Sequence, residues 1–164
     1  MLYYLNYFFI FSLFGNFIER FFYHDSSSGI LFGPWTHIYG FGVLTILLIN
    51  HFLLKKIKWH IIPKIILTFF IGAIALSIIE AIGGYWIEWI FGISFWDYTY
   101  AYRFNIGKYV ALEKSLLWGL SAVAIIYIFK PLVDKFIDKI PNYLTYAMVI
   151  LFIIDNIFTN ILKR

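Results

Sequence analysis

The sequence predicts an all-α, polytopic integral membrane bundle of about five transmembrane helices, or six if the third apolar run breaks, with one short amphipathic interfacial helix. Three observations predict it. First, 62% of the 164 residues are hydrophobic and only 13% are charged; a soluble domain of this length leaves too much chain at its surface to hide that share. Second, the apolar residues gather in runs close to the ~20 residues that cross the hydrocarbon of a bilayer. Third, the runs are continuous rather than alternating, which selects helices over a barrel. No soluble domain and no internal repeat interrupts them, so residues 1–164 read as a single transmembrane domain.

The first run covers residues 2–22. Its opening, MLYYLNYFFIFSLFG, has no basic flank and no small-x-small cleavage site follows, so it reads as a retained helix rather than a signal peptide. Neither end carries a lipidation motif. The loop after it holds Asp25, three serines and Gly29, then Gly33-Pro34. The second run covers 38–54 and ends in Lys55, Lys56, Lys58 and His60. The third, 61–91, is long for one perpendicular span; it tilts, or it breaks at Gly83-Gly84. The fourth covers 109–129 and the fifth 143–162. Between them, residues 130–141 alternate Asp134, Lys135, Asp138 and Lys139 with Leu132, Val133, Phe136 and Ile137, the pattern of a short helix on the membrane surface.

Charge placement orients the chain. Lys55, Lys56, Lys58, Lys64, Lys130, Lys135 and Lys139 fall on one side of a five-span topology; Arg20, Arg103, Lys108, Lys114, Lys163 and Arg164 fall on the other. The dense 55–64 cluster marks its side as cytoplasmic, which puts the N-terminus inside and the 92–108 loop outside a cell membrane. The net charge of +4 fits membrane-flanking lysines and no nucleic-acid footprint. Cysteine is absent, so disulfides and thiolate metal sites are excluded. His24, His37, His51 and His60 are scattered without metal-ligand spacing, and no cofactor motif occurs. No GxSxG is present, and Gly107-Lys108 is followed by Tyr109, so the chain is not itself a P-loop ATPase.

Ionisable groups inside apolar runs are costly and ask for a reason. Glu19 stands at the end of the first run beside Arg20, and Glu113 and Lys114 early in the fourth. Glu80 and Asp155 lie deep in the third and fifth. Glu80, Gly84 and Glu88 are spaced i, i+4, i+8 and form one ridge of a helix, with the glycine leaving room for a close neighbour. Each acid has a plainer reading as helix glue. The stretch FWDYTYAYRFN, residues 95–105, puts Asp97, Arg103 and Asn105 among Trp96, Tyr98, Tyr100, Tyr102 and Phe104. An aromatic belt would account for the rings alone. The mixture predicts more: a lid folded over a polar cavity between helices, with Asp97 and Arg103 pairing with each other or with Glu88. Trp35 and Tyr39, near the start of the second run, join Glu19, Glu80, Glu88, Trp96, Asp97, Arg103, Asn105 and Asp155 as candidate substrate-binding residues.

Two blocks carry a resemblance. ILFGPWTHIYGFG (30–42) and FWDYTYAYRFNIGKYVALEKSLLWG (95–119), with Glu19, the Glu80-Gly84-Glu88 ridge and Asp155 in the same order, are similar to the bacterial membrane family called putative ABC-transporter type IV, or CmpB-like permeases. His37 and Arg103 stand where that family commonly has proline, and the spacing near Phe104-Asn105 shifts by a residue. The resemblance implies a permease-like transport component, embedded in the lipid bilayer and partnered by a separate ATPase subunit or by a second copy. Two other expectations stand beside it: a membrane enzyme acting on a lipid or isoprenoid-like substrate, with Glu80 or Glu88 as acid/base and Arg103 or Lys108 on an anionic headgroup, and a non-catalytic scaffold or assembly factor.

Overall fold

A computed structural model describes residues 2–22 and 31–162 of the chain. The serine-rich part of the first predicted loop, with His24, lies outside the described residues, as do Lys163 and Arg164. The elements are α1 (Leu2–Phe22), α2 (His37–Phe52), a 3-10 turn at Leu54–Lys56, α3 (Ile61–Phe91), β1 (Asn105–Ile106), β2 (Val110–Ala111), α4 (Leu112–Ala124), a π-helical turn at Ile125–Phe129, α5 (Lys130–Ile137) and α6 (Asn142–Leu162). The protein is an all-helical, polytopic membrane bundle. Its chain forms two compact units, Met1–Phe41 with Asp134–Arg164, and Gly42–Val133.

Four helical stretches among the described residues, His37–Lys56, Ile61–Phe91, Leu112–Ile137 and Asn142–Leu162, are long and apolar enough to cross a membrane. The first helix has the length, 21 residues, but is diluted by Asn6, Ser12 and Asn16. All three are buried, while Phe14, Phe17 and Phe21 are exposed. Its amides therefore face protein, together with some of its rings, while Phe14, Phe17 and Phe21 face outward.

In the first unit, Tyr7, Phe8, Phe9, Phe11 and Trp35 are buried. Phe152 of α6 receives the ring edges of Phe8, Phe9 and Trp35 at 5.4, 5.9 and 6.1 Å between centroids. Polar ties run through this packing. Thr145 donates to Asn6 Oδ1 at 2.6 Å, and the phenols of Tyr3 and Tyr7 both donate to Asp134 Oδ1, at 2.7 and 2.8 Å.

In the second unit, α3 and α4 pack lengthwise. Ser77 and Ser115 are hydrogen-bonded at 2.7 Å and Thr68 and Tyr127 at 3.2 Å. Beside this contact α3 exposes Ile66, Phe70, Ile74, Ile78 and Ile82, an apolar stripe at i+4 spacing. The break considered at Gly83-Gly84 does not occur: α3 is one helix of 31 residues. Gly84 is buried under the Tyr109 ring, where a Cβ would collide with it. Its glycine serves close approach, not a kink. At 1.5 Å per residue α3 is about 46 Å long, more than a bilayer core, so its last turns reach the interface. Those turns carry Tyr85, Trp86 and Trp89, all exposed, and the helix stops at Gly92 with φ 67°, its amide bonded to Glu88 O at 2.9 Å.

The fourth run also continues further than a simple apolar count suggests. Proline at 131 offers no amide and crowds the preceding turn. The π turn at Ile125–Phe129 widens the helix just before it, and α4 runs on into the amphipathic α5. The start of the run is shortened instead: residues 105–111 form a two-stranded antiparallel hairpin, Asn105 opposite Ala111 and Ile106 opposite Val110.

Candidate functional site

The predicted site residues fall into two clusters, one in each unit. The richer one is built on α3, the hairpin and α4. Glu80 is 5% exposed, in the middle of the long helix. Its Oε1 accepts from the Tyr98 hydroxyl at 2.7 Å and its Oε2 from the Trp118 indole N–H at 2.7 Å. One donor comes from the 95–105 stretch and the other from α4. The charge of Lys114 also acts on this carboxylate. The Lys114 ammonium lies over the Tyr98 and Tyr102 rings, 5.9 and 5.6 Å from their centroids.

The aromatic stretch reaches Glu80 because its backbone is pinned. The Tyr98 amide donates to Lys108 O, and the Leu112 amide to Phe104 O, both at 2.8 Å. The Asn105 side-chain amide donates to Tyr98 O and Gly107 O at 3.4 Å each. Trp96 packs edge-on to Tyr109 at 5.6 Å, and its indole nitrogen is buried without a hydrogen-bond partner among the described residues.

The ion pair expected for Asp97 and Arg103 does not form among the described residues. Asp97 accepts from the Thr99 amide at 2.8 Å, closing a local turn. That turn and the Lys108 charge hold its carboxyl below the ordinary carboxylate range. Arg103 stacks over Phe104 at 5.5 Å. Nor does Glu88 pair with either: the Lys108 ammonium donates to its Oε1 at 2.6 Å and the Tyr109 hydroxyl to its Oε2 at 2.8 Å. The three-residue turn at 107–109 presents both donors side by side, which a spacing argument confined to charged residues misses. The Glu88 hydrogen bond raises the Lys108 ammonium above its usual value.

An apolar groove of about 870 Å³ runs beside this cluster, along α3 and the start of α4. Phe70, Ile74, Ile78, Trp86, Val110 and Leu116 are among its walls, and Ser77 and Ser115 supply hydroxyls. Ser77 precedes Glu80 by three residues, one turn along the same helix face.

The second cluster closes on Asp155 of α6. Its Oδ1 accepts from the Phe32 amide at 3.0 Å and from Thr159 at 3.3 Å; its Oδ2 accepts from the Gly33 amide at 2.7 Å and the Trp35 indole at 2.6 Å. Gly33 is required here, because a Cβ would run into both the indole and the carboxylate. Thr36 donates to Glu19 Oε2 at 3.3 Å and accepts from the Asn16 amide at 3.4 Å. The Tyr39 amide donates to Thr36 O at 3.1 Å. Sequence reasoning named the acids in both clusters but missed most of their partners: Tyr109 as a donor, Trp118, Thr36 and Thr159. The Tyr3-Tyr7-Asp134 contact was missed outright. A buried acid signals a need for donors, but indoles and hydroxyls carry no charge to mark them.

A helical membrane bundle with carboxylates sequestered on aromatic and backbone donors defines the class of protein. The family described as "Putative ABC-transporter type IV" matches residues 6–160, and the chain belongs to it. No curated protein and no solved structure matches the chain.

Proposed function

We propose that the chain is a permease-like transport component of the cell membrane, taking a small or lipid-like substrate beside Glu80. One observation carries the reading: a carboxylate buried in the middle of a spanning helix, held by neutral donors, stands one turn from an apolar groove of about 870 Å³. An apolar groove with a small number of polar groups placed near it is the usual form of a ligand site. Tyr98 gives that site a way to open, since the hydroxyl that closes over Glu80 belongs to a loop. With no P-loop in the sequence, energy comes from outside the chain, by a separate ATPase subunit docked on the lysine-rich cytoplasmic loops. A homodimer is the other partner in keeping with so small a bundle. Five crossings with the N-terminus inside and the 95–105 stretch outside agree with the lysine distribution.

Native mass spectrometry of gently extracted protein tests this. Copurification of an ATPase subunit, together with loss of transport in Glu80→Gln at unchanged melting temperature, is the expected result. A bare monomer whose Glu80→Gln variant loses stability and activity together would overturn it in favour of a scaffold. That second reading is favoured at Asp155 in particular, where backbone amides, an indole and a hydroxyl already occupy the carboxylate.

A further inference from the structure

The Glu80 site has the chemistry of a cation receptor. Tyr98 and Tyr102 meet edge to face, 5.3 Å between centroids and 88° between planes, and so form a corner of two ring faces. An ammonium already sits in that corner, the Lys114 Nζ, within cation–π range of both rings. Tyr98 also donates to Glu80, so the aromatic corner and the acid are one piece. The hydrogen-bond donors on the two Glu80 oxygens are a phenol and an indole, which orient the carboxylate without neutralising it.

We propose that this site takes an amphiphile with an amine or quaternary ammonium head, the head between Glu80 and the two tyrosine rings and the tail in the apolar groove, and that Lys114 is the internal occupant which the ligand's head displaces. The proposal rests on the substrate reading above and names its chemical class. Three features select the class. An anionic head would face Glu80 across a low-dielectric site and be repelled. A neutral head would gain nothing from the ring quadrupoles that hold Lys114 now. The groove walls are almost entirely apolar and run from Ser77, one turn from Glu80, to Trp86 and Trp89, so head and tail of one molecule have adjoining places. Lysine suits the role of occupant, because its charge rides on a flexible four-carbon stem that can withdraw.

The test uses the full chain in lipid nanodiscs, with empty nanodiscs subtracted. Three probes share a dodecyl tail: dodecyltrimethylammonium, dodecyldimethylamine oxide and dodecyl phosphate. Binding is read by titration calorimetry. The cation is expected to bind at least roughly tenfold more tightly than the other two. Glu80→Gln and Tyr102→Leu should each weaken the cation and leave the amine oxide unchanged. Lys114→Met should tighten the cation by roughly tenfold, because the occupant is gone. A melting curve for each variant confirms that it is folded, and Tyr102→Leu carries the test if Glu80→Gln is not. Equal binding of all three probes, blocked by Ala73→Trp in the groove, would overturn the cation class and leave the groove reading standing. No binding above empty nanodiscs would overturn both. Unchanged or weaker cation binding in folded Lys114→Met would overturn the role given to Lys114.

Discussion

The contact between Tyr98 and Glu80 decides whether the aromatic stretch is a lid or merely a decorated loop. Tyr98→Phe removes one oxygen atom and keeps the ring. The lost bond is to a carboxylate that is 5% exposed, at 2.7 Å. Hydrogen bonds to charged partners contribute about 1.5–3 kcal/mol each. At about 1.4 kcal/mol per decade that is a change of roughly 12- to 150-fold in an opening equilibrium. If the bond latches the loop, the change appears locally. The amides of Tyr98, Thr99 and Leu112, bonded to Lys108 O, Asp97 Oδ1 and Phe104 O, should exchange faster by about that factor in detergent-solubilised protein. Trp118→Phe is the matched control. It takes the other donor from the same carboxylate but belongs to α4, so it should lower the stability of the helix pair without selectively loosening the stretch. Hydrogen exchange read peptide by peptide separates the two. Equal exchange of residues 96–104 in wild type and Tyr98→Phe would refute the latch, whatever happens to the melting temperature.

Asp155→Ala should be strongly destabilising, because it strands the Gly33 amide and the buried Trp35 indole at about 1–3 kcal/mol for each group left without water. Asp155→Asn should fall between it and wild type in a thermal melt, its amide oxygen keeping some of the donors. Asp134→Leu should likewise destabilise, since it removes the acceptor that Tyr3 and fully buried Tyr7 share; Tyr7→Phe in that background should restore part of the loss, and a further drop would argue against it. The loop has a defined pH window. Lys108 is raised when folded, so its contribution is full below the unfolded value near 10.5 and disappears as pH rises through the folded value. Asp97 is lowered, so its contribution is present above the unfolded value near 3.8 and is lost as pH falls through the folded one. Exchange of the Thr99 amide should therefore stay slow down to below pH 3.8, after correction for intrinsic rates, and an onset above that value would contradict the turn geometry.

Much of the fold was legible because lipid simplifies the rules. The apolar runs at 61–91 and 143–162 needed only length and hydropathy, and their helices nearly coincide with the expected ranges. What stayed hidden was local. Gly83-Gly84 left a break open beside a tilt, because two glycines weaken a helix on their own. Only the ring of Tyr109, 25 residues on from Gly84, shows that the missing Cβ is a packing feature. Lys130-Pro131 looked like a stop because proline removes a donor, and the π turn that absorbs it has no sequence signature of its own. The 105–111 hairpin is too short to show a period of two.

The same contrast explains why the acids were easy to name and hard to rank. Depth in an apolar run predicts that Glu80 and Asp155 both need partners, and both have them. The difference lies in what kind. Asp155 is met by two main-chain amides of a turn built around Gly33, and main-chain donors do not leave without unfolding the turn. Glu80 is met by two side chains, one of them on a loop, with an ammonium held nearby on aromatic faces. Side-chain donors rotate away at the cost of a rotamer change and one hydrogen bond. An acid clamped by backbone has finished its work when the protein folds. An acid held by movable neutral donors beside an apolar groove retains the capacity to exchange one partner for another, and binding requires that capacity.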